Sequence, residues 1–181
     1  ILTRDWSSDV CSSDLERIMY QLGEFVVYGV HGVCLVSQIQ ERRVDRMTQQ
    51  YLVLEPIGRG GSQYLVPMHN PAAMSKLSPL MTPQELEGLL SSESVKTDCW
   101  IPEENRRKQS YRELSGSASR EKLMQTVHTL YERKKSLQTQ GKKLHICDDN
   151  FLHDAEKVLS GEIEAVLGIG NQEALQYLRS R

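Results

Sequence analysis

The sequence predicts an α+β protein in which a small antiparallel β-barrel precedes an all-α region. Between residues 25 and 68, short runs of β-branched and aromatic residues alternate with turn residues, without a helical period. From residue 82 onward, apolar residues recur at helical spacing. Because 181 residues suffice for one ordinary domain or two small ones, we predict a β domain over residues 19–80 and a helical domain over residues 82–181.

The strand-like half contains four candidate strands, at residues 25–28, 33–39, 51–57 and 63–68. Turn residues separate them, at positions 29, 31–32, 42–49 and 58–61. Pro67 is predicted to end the last strand, since proline cannot donate a hydrogen bond within a central ladder. This spacing favours a small barrel or a curled sheet.

The helical half opens with a clear N-terminal signature. Thr82 supplies a capping hydroxyl, Pro83 occupies the first helical position and Glu85 completes a capping box. Further helices are predicted over residues 102–114, from Ser117 or Ser119 to Gly141, and from Asn171 onward. Between these last two, Asp148, Asp149 and Asn150 are predicted caps of one long helix that continues through Gly161 at a cost of about 1 kcal/mol.

The charge of the chain is unevenly distributed. The formal net charge is −2, yet residues 106–143 carry eleven basic and three acidic residues, or +8. Just before this segment, Trp100 stands outside any apolar period, so its ring could stack on a base or wedge between base steps while Arg and Lys hold phosphates. The alternatives are that the basic residues form a solvated helix face and that Trp100 packs between the two domains.

No strong catalytic signature is present. The Gly58–Gly61 run lacks the following Gly-Lys-Ser/Thr and helix of a phosphate cradle. His145, Cys147 and His153 fall short of the four ligands of a structural zinc site. Cys34, near His31, fits a small core residue better than a nucleophile. We therefore expect no enzymatic activity, no cofactor, no metal and no small-molecule substrate.

The first 18 residues are interpreted as a non-native leader. Residues 4–15 have no structural period, repeat Ser-Ser-Asp and resemble a translated sequencing-adapter oligonucleotide. On this interpretation the natural chain begins at or near Met19. The sequence has no run of about 18 apolar residues that would span a membrane. Setting aside Cys11 in the interpreted leader, the cysteines are Cys34, Cys99 and Cys147, and their wide spacing indicates a reducing cytoplasm.

The chain from Met19 onward resembles the CarD/CdnL family of bacterial transcription regulators. The opening Met19–Tyr28 followed by His31-Gly32-Val33 is similar to the family pattern M-F-x-x-G-D-x-V-V-Y-x-x-H-G-V. The similarity continues through segments that keep the family order: Tyr51–Leu54, Val66-Pro67, Trp100, Asn105–Arg107, Ser115-Gly116, Leu130-Tyr131, Gly141–His145, Ala155–Leu159 and Val166–Ile169.

The resemblance implies a Tudor-like N-terminal module that docks on the β subunit of RNA polymerase, as a related module of transcription-repair coupling factors does. It implies a helical module that contacts promoter DNA at the upstream edge of the melted bubble and stabilises the open complex. By position, Trp100 matches the family's minor-groove wedge, Arg106, Arg107 and Lys143 match phosphate-holding residues, and Arg42, in the loop after the second strand, matches a polymerase-facing arginine.

Two departures from the family pattern affect these expectations. Leu65 stands where some members place a second polymerase-facing arginine, and about three extra residues, including Pro102, separate Trp100 from Arg106. Two other interpretations also remain: a protein–protein adaptor whose barrel binds a peptide and whose helices never touch DNA, and an enzyme built around Cys34 or Cys147.

Overall fold

Antiparallel strands form the N-terminal part of the computed structural model, which describes residues 20–44, 47–57 and 62–180. Within these residues five strands pair in the order β4-β3-β2-β1-β5. Their bounds are β1, Phe25–Tyr28; β2, Val33–Val44; β3, Met47–Pro56; β4, Tyr64–Pro67; and β5, Leu77–Pro79. A 3-10 turn, Gly29–His31, joins β1 to β2, and the short helix α1, Pro71–Met74, lies between β4 and β5. The α+β class is confirmed, but the described sheet is open rather than a closed barrel.

The central hairpin is longer than the sequence predicted. β2 and β3 remain paired as far as Val44 opposite Met47, so residues 42–44 and 47–49 lie in strands and not in a turn. The outer half of this hairpin is largely exposed and polar, so no alternation of apolar residues reveals it. Positions 45 and 46, the predicted turn at 58–61 and the predicted leader at 1–18 lie outside the described residues.

One short strand was not predicted. β5 has only three residues, one of which is Pro79, and it pairs with β1 through Leu77, Ser78 and Pro79. Three residues are too few to show a strand period. Pro67 does end β4, as predicted, but β4 lies at a sheet edge, where a residue without an N–H is tolerated.

The helical part contains α2, Pro83–Ser91; α3, Glu93–Lys96; α4, Glu104–Gly116; α5, Arg120–Thr139; α6, Ile146–Leu167; and α7, Asn171–Arg179. The predicted capping box is confirmed: the Thr82 amide donates to Glu85 at 2.7 Å, and the Glu85 amide donates to the Thr82 hydroxyl at 3.2 Å. Helix α6 continues through Gly161 as predicted. None of the described helices is long and apolar enough to cross a membrane.

The start of α6 differs from the prediction. His145 is the N-cap, so Asp148 and Asp149 lie inside the first turn and are not caps. Asp148 is only 1% exposed. It lies three, four and seven residues before Phe151, Leu152 and Ala155, which places its carboxylate on the buried face of the helix.

A buried ion pair joins the sheet to the helices. The Arg120 guanidinium donates to the Glu162 carboxylate at 2.7 Å and to the Pro79 carbonyl at the end of β5. The Met81 amide donates to the same carboxylate at 3.1 Å. Glu162 is 1% exposed. A single buried carboxylate on α6 therefore positions both the last strand and the first turn of α5.

Candidate nucleic-acid interface

Trp100 lies in the connection between α3 and α4, and two backbone amides of this connection are hydrogen-bonded to side chains. The Trp100 amide donates to Asp98 Oδ1 at 3.1 Å, and the preceding Cys99 amide donates to Thr129 Oγ1 on α5 at 3.1 Å. The indole packs, partly buried, against the helical core. The connection is thus anchored to α5 and is not a free loop.

Two guanidinium groups lie over the Trp100 ring. The Arg107 Cζ is 4.2 Å from the ring centroid and the Arg133 Cζ is 3.9 Å from it. Both distances lie well within the range of about 6 Å over which a cation is attracted to an aromatic face. Arg133 also approaches Asp98, with Nη2 and Oδ2 4.0 Å apart. These contacts limit how the indole can tilt and surround it with positive charge.

Arg107 is an interior residue. It is 6% exposed, and its Nε and Nη2 donate to the two carboxylate oxygens of Asp148 at 2.7 and 3.1 Å. Its Nη1 donates to the carbonyls of Ile101 and Pro102 at 2.9 and 3.3 Å. The side chain that the family resemblance matched to a phosphate-holding residue therefore ties the Trp100 connection to α6.

Asp148 is the centre of this arrangement. Besides Arg107, it accepts a hydrogen bond from the Tyr111 hydroxyl at 2.9 Å. Burial alone would raise the pKa of the Asp148 carboxyl, but the hydrogen bonds from Arg107 and Tyr111 outweigh burial and hold the pKa below its usual value. The Tyr111 ring stacks on Phe151, with centroids 4.1 Å apart and planes 8° apart. Asp148 stays ionised and keeps Arg107 in place.

Arg106 and Lys143 are exposed on neighbouring segments. A carboxylate oxygen of Glu104, in the first turn of α4, lies within 4.8 Å of an imidazole nitrogen of His145, just before α6. Arg106 comes two positions after Glu104, and Lys143 comes two positions before His145. The Arg106 side chain is 78% exposed, with only a 4.0 Å approach to Glu103. Both cations are therefore available to an external anion.

The positive segment is weaker at the surface than its sequence suggests. Arg107 and Arg120 are paired internally with Asp148 and Glu162, two buried acids that lie outside residues 106–143. Removing these two cations lowers the charge that the segment presents from +8 to +6. The surface remains basic enough to attract a polyanion.

A cleft of about 240 Å³ opens beside Trp100, between α4 and α5. Its lining mixes charged, aromatic and hydroxyl-bearing residues, among them Arg107, Tyr111, Lys122, Thr126 and Thr129. Space next to the indole allows a flat group to approach without displacing the core.

Arg42 lies far along the central hairpin, within β2 and not in the loop where it was predicted. The Nε and Nη2 of its guanidinium donate to Gln40 Oε1 at 3.3 and 3.2 Å. In the β2–β3 ladder, Arg42 lies opposite Gln49. The side chain is exposed. Leu65, on the edge strand β4, is 37% exposed. Arg42 therefore belongs to the exposed surface of the sheet.

Sequence reasoning missed Asp148 and Arg133 as partners of the Trp100 site. A signal for Asp148 was present, because its spacing from Phe151, Leu152 and Ala155 places it on the apolar face of α6. A signal for the burial of Arg107 was also present, because Arg107 lies four and seven residues before Tyr111 and Leu114 on one face of α4. An arginine and an aspartate on two apolar helix faces indicate a buried pair.

The N-terminal sheet matches a known domain. Residues 20–78 match the family model of the CarD-like/TRCF RID domain. No curated protein sequence matches the chain. The matched residues include β1 to β4, α1 and the first two residues of β5, and the domain implies RNA polymerase as its partner. Residues 20–78, about a third of the chain, are therefore similar to the CarD-like/TRCF RID domain.

Proposed function

We propose that this protein is a transcription regulator that docks on the RNA polymerase β subunit through its sheet and stabilises the open promoter complex through its helices. Trp100 is proposed to contact the upstream edge of the melted bubble, with Arg106 and Lys143 holding phosphates. The observation that carries the proposal is the pair of guanidinium groups over Trp100, next to a surface of exposed cations and joined to a polymerase-interacting domain.

The two adjacent arginines differ in exposure, and we assign them different roles. Arg106 is exposed and can reach a phosphate, whereas Arg107 is buried and fixes the connection that carries Trp100. On this proposal Arg107 is a positioning residue. Because Arg107 orients the indole before DNA binds, it would lower the entropic cost of inserting the ring at a base step.

A modest preference for melted DNA is enough for this function. A factor that binds the open complex more tightly than the closed one by about 1–2 kcal/mol shifts their ratio several-fold. A wedge at a step that is already unstacked provides such a preference, because duplex DNA would first cost a few kcal/mol to unstack. Contact with polymerase raises the local concentration of the factor, so weak binding to free DNA suffices.

The open-complex lifetime on a promoter of marginal stability tests the DNA role. Trp100→Ala and the double variant Arg106→Gln/Lys143→Gln should each shorten the lifetime conferred by the protein roughly 5- to 30-fold, the equivalent of about 1–2 kcal/mol. The matched control is Arg112→Gln, another exposed arginine of α4, which should leave the lifetime close to that of the unaltered protein.

Docking is tested separately by capture of purified polymerase subunits on the immobilised full chain. We expect recovery of the β subunit, with weaker recovery for Arg42→Glu and unchanged recovery for Trp100→Ala. If the Trp100 and Arg106/Lys143 variants keep the full open-complex lifetime while β-subunit capture persists, the protein is a polymerase-bound adaptor without DNA contact. If the β subunit is not captured, the proposed docking partner is wrong.

A further inference from the structure

Three side chains with metal-binding atoms converge at the N-terminal ends of α4 and α6. A carboxylate oxygen of Glu104, an imidazole nitrogen of His145 and the Cys147 Sγ all lie within 4.8 Å of one another. The His145 Nδ1 and the Cys147 Sγ are 3.1 Å apart. Glu104 comes from a different helix, more than forty positions away along the chain, so the cluster is created by the packing of α4 against α6.

The spacing suits a small divalent cation. Zinc binds imidazole nitrogen and carboxylate oxygen at about 2.0–2.2 Å and thiolate sulfur at about 2.3 Å. In a tetrahedral site with these bond lengths, the ligand atoms lie about 3–4 Å from one another. The three atoms of the cluster lie within 4.8 Å of one another, so a bound ion would have to draw them somewhat closer by side-chain rotation. His153, which the sequence grouped with His145 and Cys147, is not part of the cluster.

The three ligand atoms differ in chemical hardness, from the soft thiolate sulfur to the hard carboxylate oxygen. One thiolate, one imidazole and one carboxylate together favour a borderline ion such as Zn²⁺ over the hard ions Mg²⁺ and Ca²⁺, which prefer oxygen ligands throughout. Three protein ligands leave the fourth position to water, as in open zinc sites. Binding releases the thiol proton of Cys147 to solvent, because the thiolate is the ligand.

The charges that face the cluster decide how tightly it can bind a cation. Lys108 forms an ion pair with Glu104 and must move away when a metal takes that carboxylate. Arg107 is already neutralised by Asp148, whose Oδ1 lies 3.4 Å from the Cys147 Sγ. Lys108 is thus the cation that competes directly for a ligand, while the Asp148 carboxylate adds negative charge on the other side.

We infer that Glu104, His145 and Cys147 form a Zn²⁺ site that links the first turn of α4 to the first turn of α6. The bound ion joins the two segments that carry Arg106 and Lys143, and it lies beside the Arg107–Asp148 pair that fixes the Trp100 connection. This site rests on the described ligand atoms alone and does not require the proposed role in transcription.

Cobalt(II) titration of the reduced full chain tests the site, in a Cys11→Ser background that removes the thiol of the predicted leader. Co²⁺ should produce a thiolate-to-metal charge-transfer band with one-to-one stoichiometry, and Zn²⁺ should displace it. Cys147→Ser should abolish the band. His145→Asn, which keeps a side chain able to cap α6, and Glu104→Gln should each weaken Zn²⁺ binding by at least roughly tenfold.

Three matched variants separate this site from nonspecific binding. Cys99→Ser and His153→Ala should retain the band, since neither residue belongs to the cluster. Lys108→Gln should tighten Zn²⁺ binding several-fold, because it removes the competitor for Glu104. An absent band in the parent chain, a band that survives Cys147→Ser, or an unchanged affinity in Glu104→Gln would overturn the assignment.

Discussion

The guanidinium of Arg107 meets the carboxylate of Asp148 through two hydrogen bonds, from Nε to Oδ1 at 2.7 Å and from Nη2 to Oδ2 at 3.1 Å. The pair joins α4 to α6 across 41 positions of sequence. The same guanidinium binds the carbonyls of Ile101 and Pro102 and lies over the Trp100 ring. One buried ion pair therefore supports both the helical core and the residue proposed to contact DNA.

Removing the Asp148 charge should destabilise the protein strongly. Asp148→Asn leaves the buried Arg107 cation without its counter-ion, which costs about 3–5 kcal/mol. Urea unfolding at pH 7 measures the free energy of unfolding. Asp149→Asn is the matched control, because Asp149 pairs with Lys134 at the surface, and the loss of an exposed pair costs only about 0–1 kcal/mol. Equal losses in the two variants would contradict the role assigned to the pair.

The same carboxyl should make stability depend on pH. The pKa of Asp148 is lowered in the folded protein, so its contribution is present above the unfolded value of about 3.9. That contribution falls as the pH drops through the folded pKa. The difference in unfolding free energy between the parent chain and Asp148→Asn should therefore be constant above about pH 5 and shrink at lower pH. A difference that stays constant down to pH 2 would show that ionised Asp148 contributes nothing.

Arg120 should matter for the junction between sheet and helices. Arg120→Met leaves the buried Glu162 carboxylate without its cation and frees the Pro79 carbonyl at the end of β5, so we expect a loss of about 3 kcal/mol or more. Arg112→Met serves as the control, since Arg112 is exposed on α4. Hydrogen exchange should show faster exchange at the β1–β5 pairing in Arg120→Met. Unchanged protection there would refute the link between the ion pair and the sheet.

Cys34 should be the least reactive of the described thiols. Its side chain is 0% exposed, and burial raises the pKa of the thiol to about 11. At pH 8 only about one molecule in a thousand then carries the thiolate that reacts. A disulfide reagent should label the partly exposed Cys99 and Cys147 in the native chain and should reach Cys34 only on unfolding. Rapid labelling of native Cys34 would instead support an enzyme built around that residue.

The sequence predicted those elements whose signal is local. Thr82, Pro83 and Glu85 marked the start of α2, because a capping box involves residues only three positions apart. The apolar residues before and after Gly161 keep one helical phase, which predicted a single helix, and α6 is continuous through Gly161. By contrast, the outer half of the β2–β3 hairpin carries polar residues on both faces, so its strands could not be recognised from a period of two.

The candidate site was only partly visible in the sequence. Trp100 stood out because it interrupts the helical pattern, and the Arg106–Lys143 segment because of its charge. The spacing of Arg107 from Tyr111 and Leu114 placed it on the apolar face of α4, but the sequence did not show that Asp148 of α6 is its partner. Successive positions on a helix point about 100° apart, so one arginine faces solvent and the other faces Asp148.

The sequence by itself determined the α+β class, the order of the longer strands and helices, and the presence of a tryptophan beside a basic segment, because these depend on propensity, period and composition along a short stretch of chain. Only the tertiary structure decided which acid each internal arginine meets and which cations remain available at the surface. Arg107 and Arg120 find Asp148 and Glu162 41 and 42 positions away, and the convergence of Glu104 with His145 and Cys147 arises from the same packing of α4 against α6. Such pairs are set by how helices pack, and no local pattern encodes that packing.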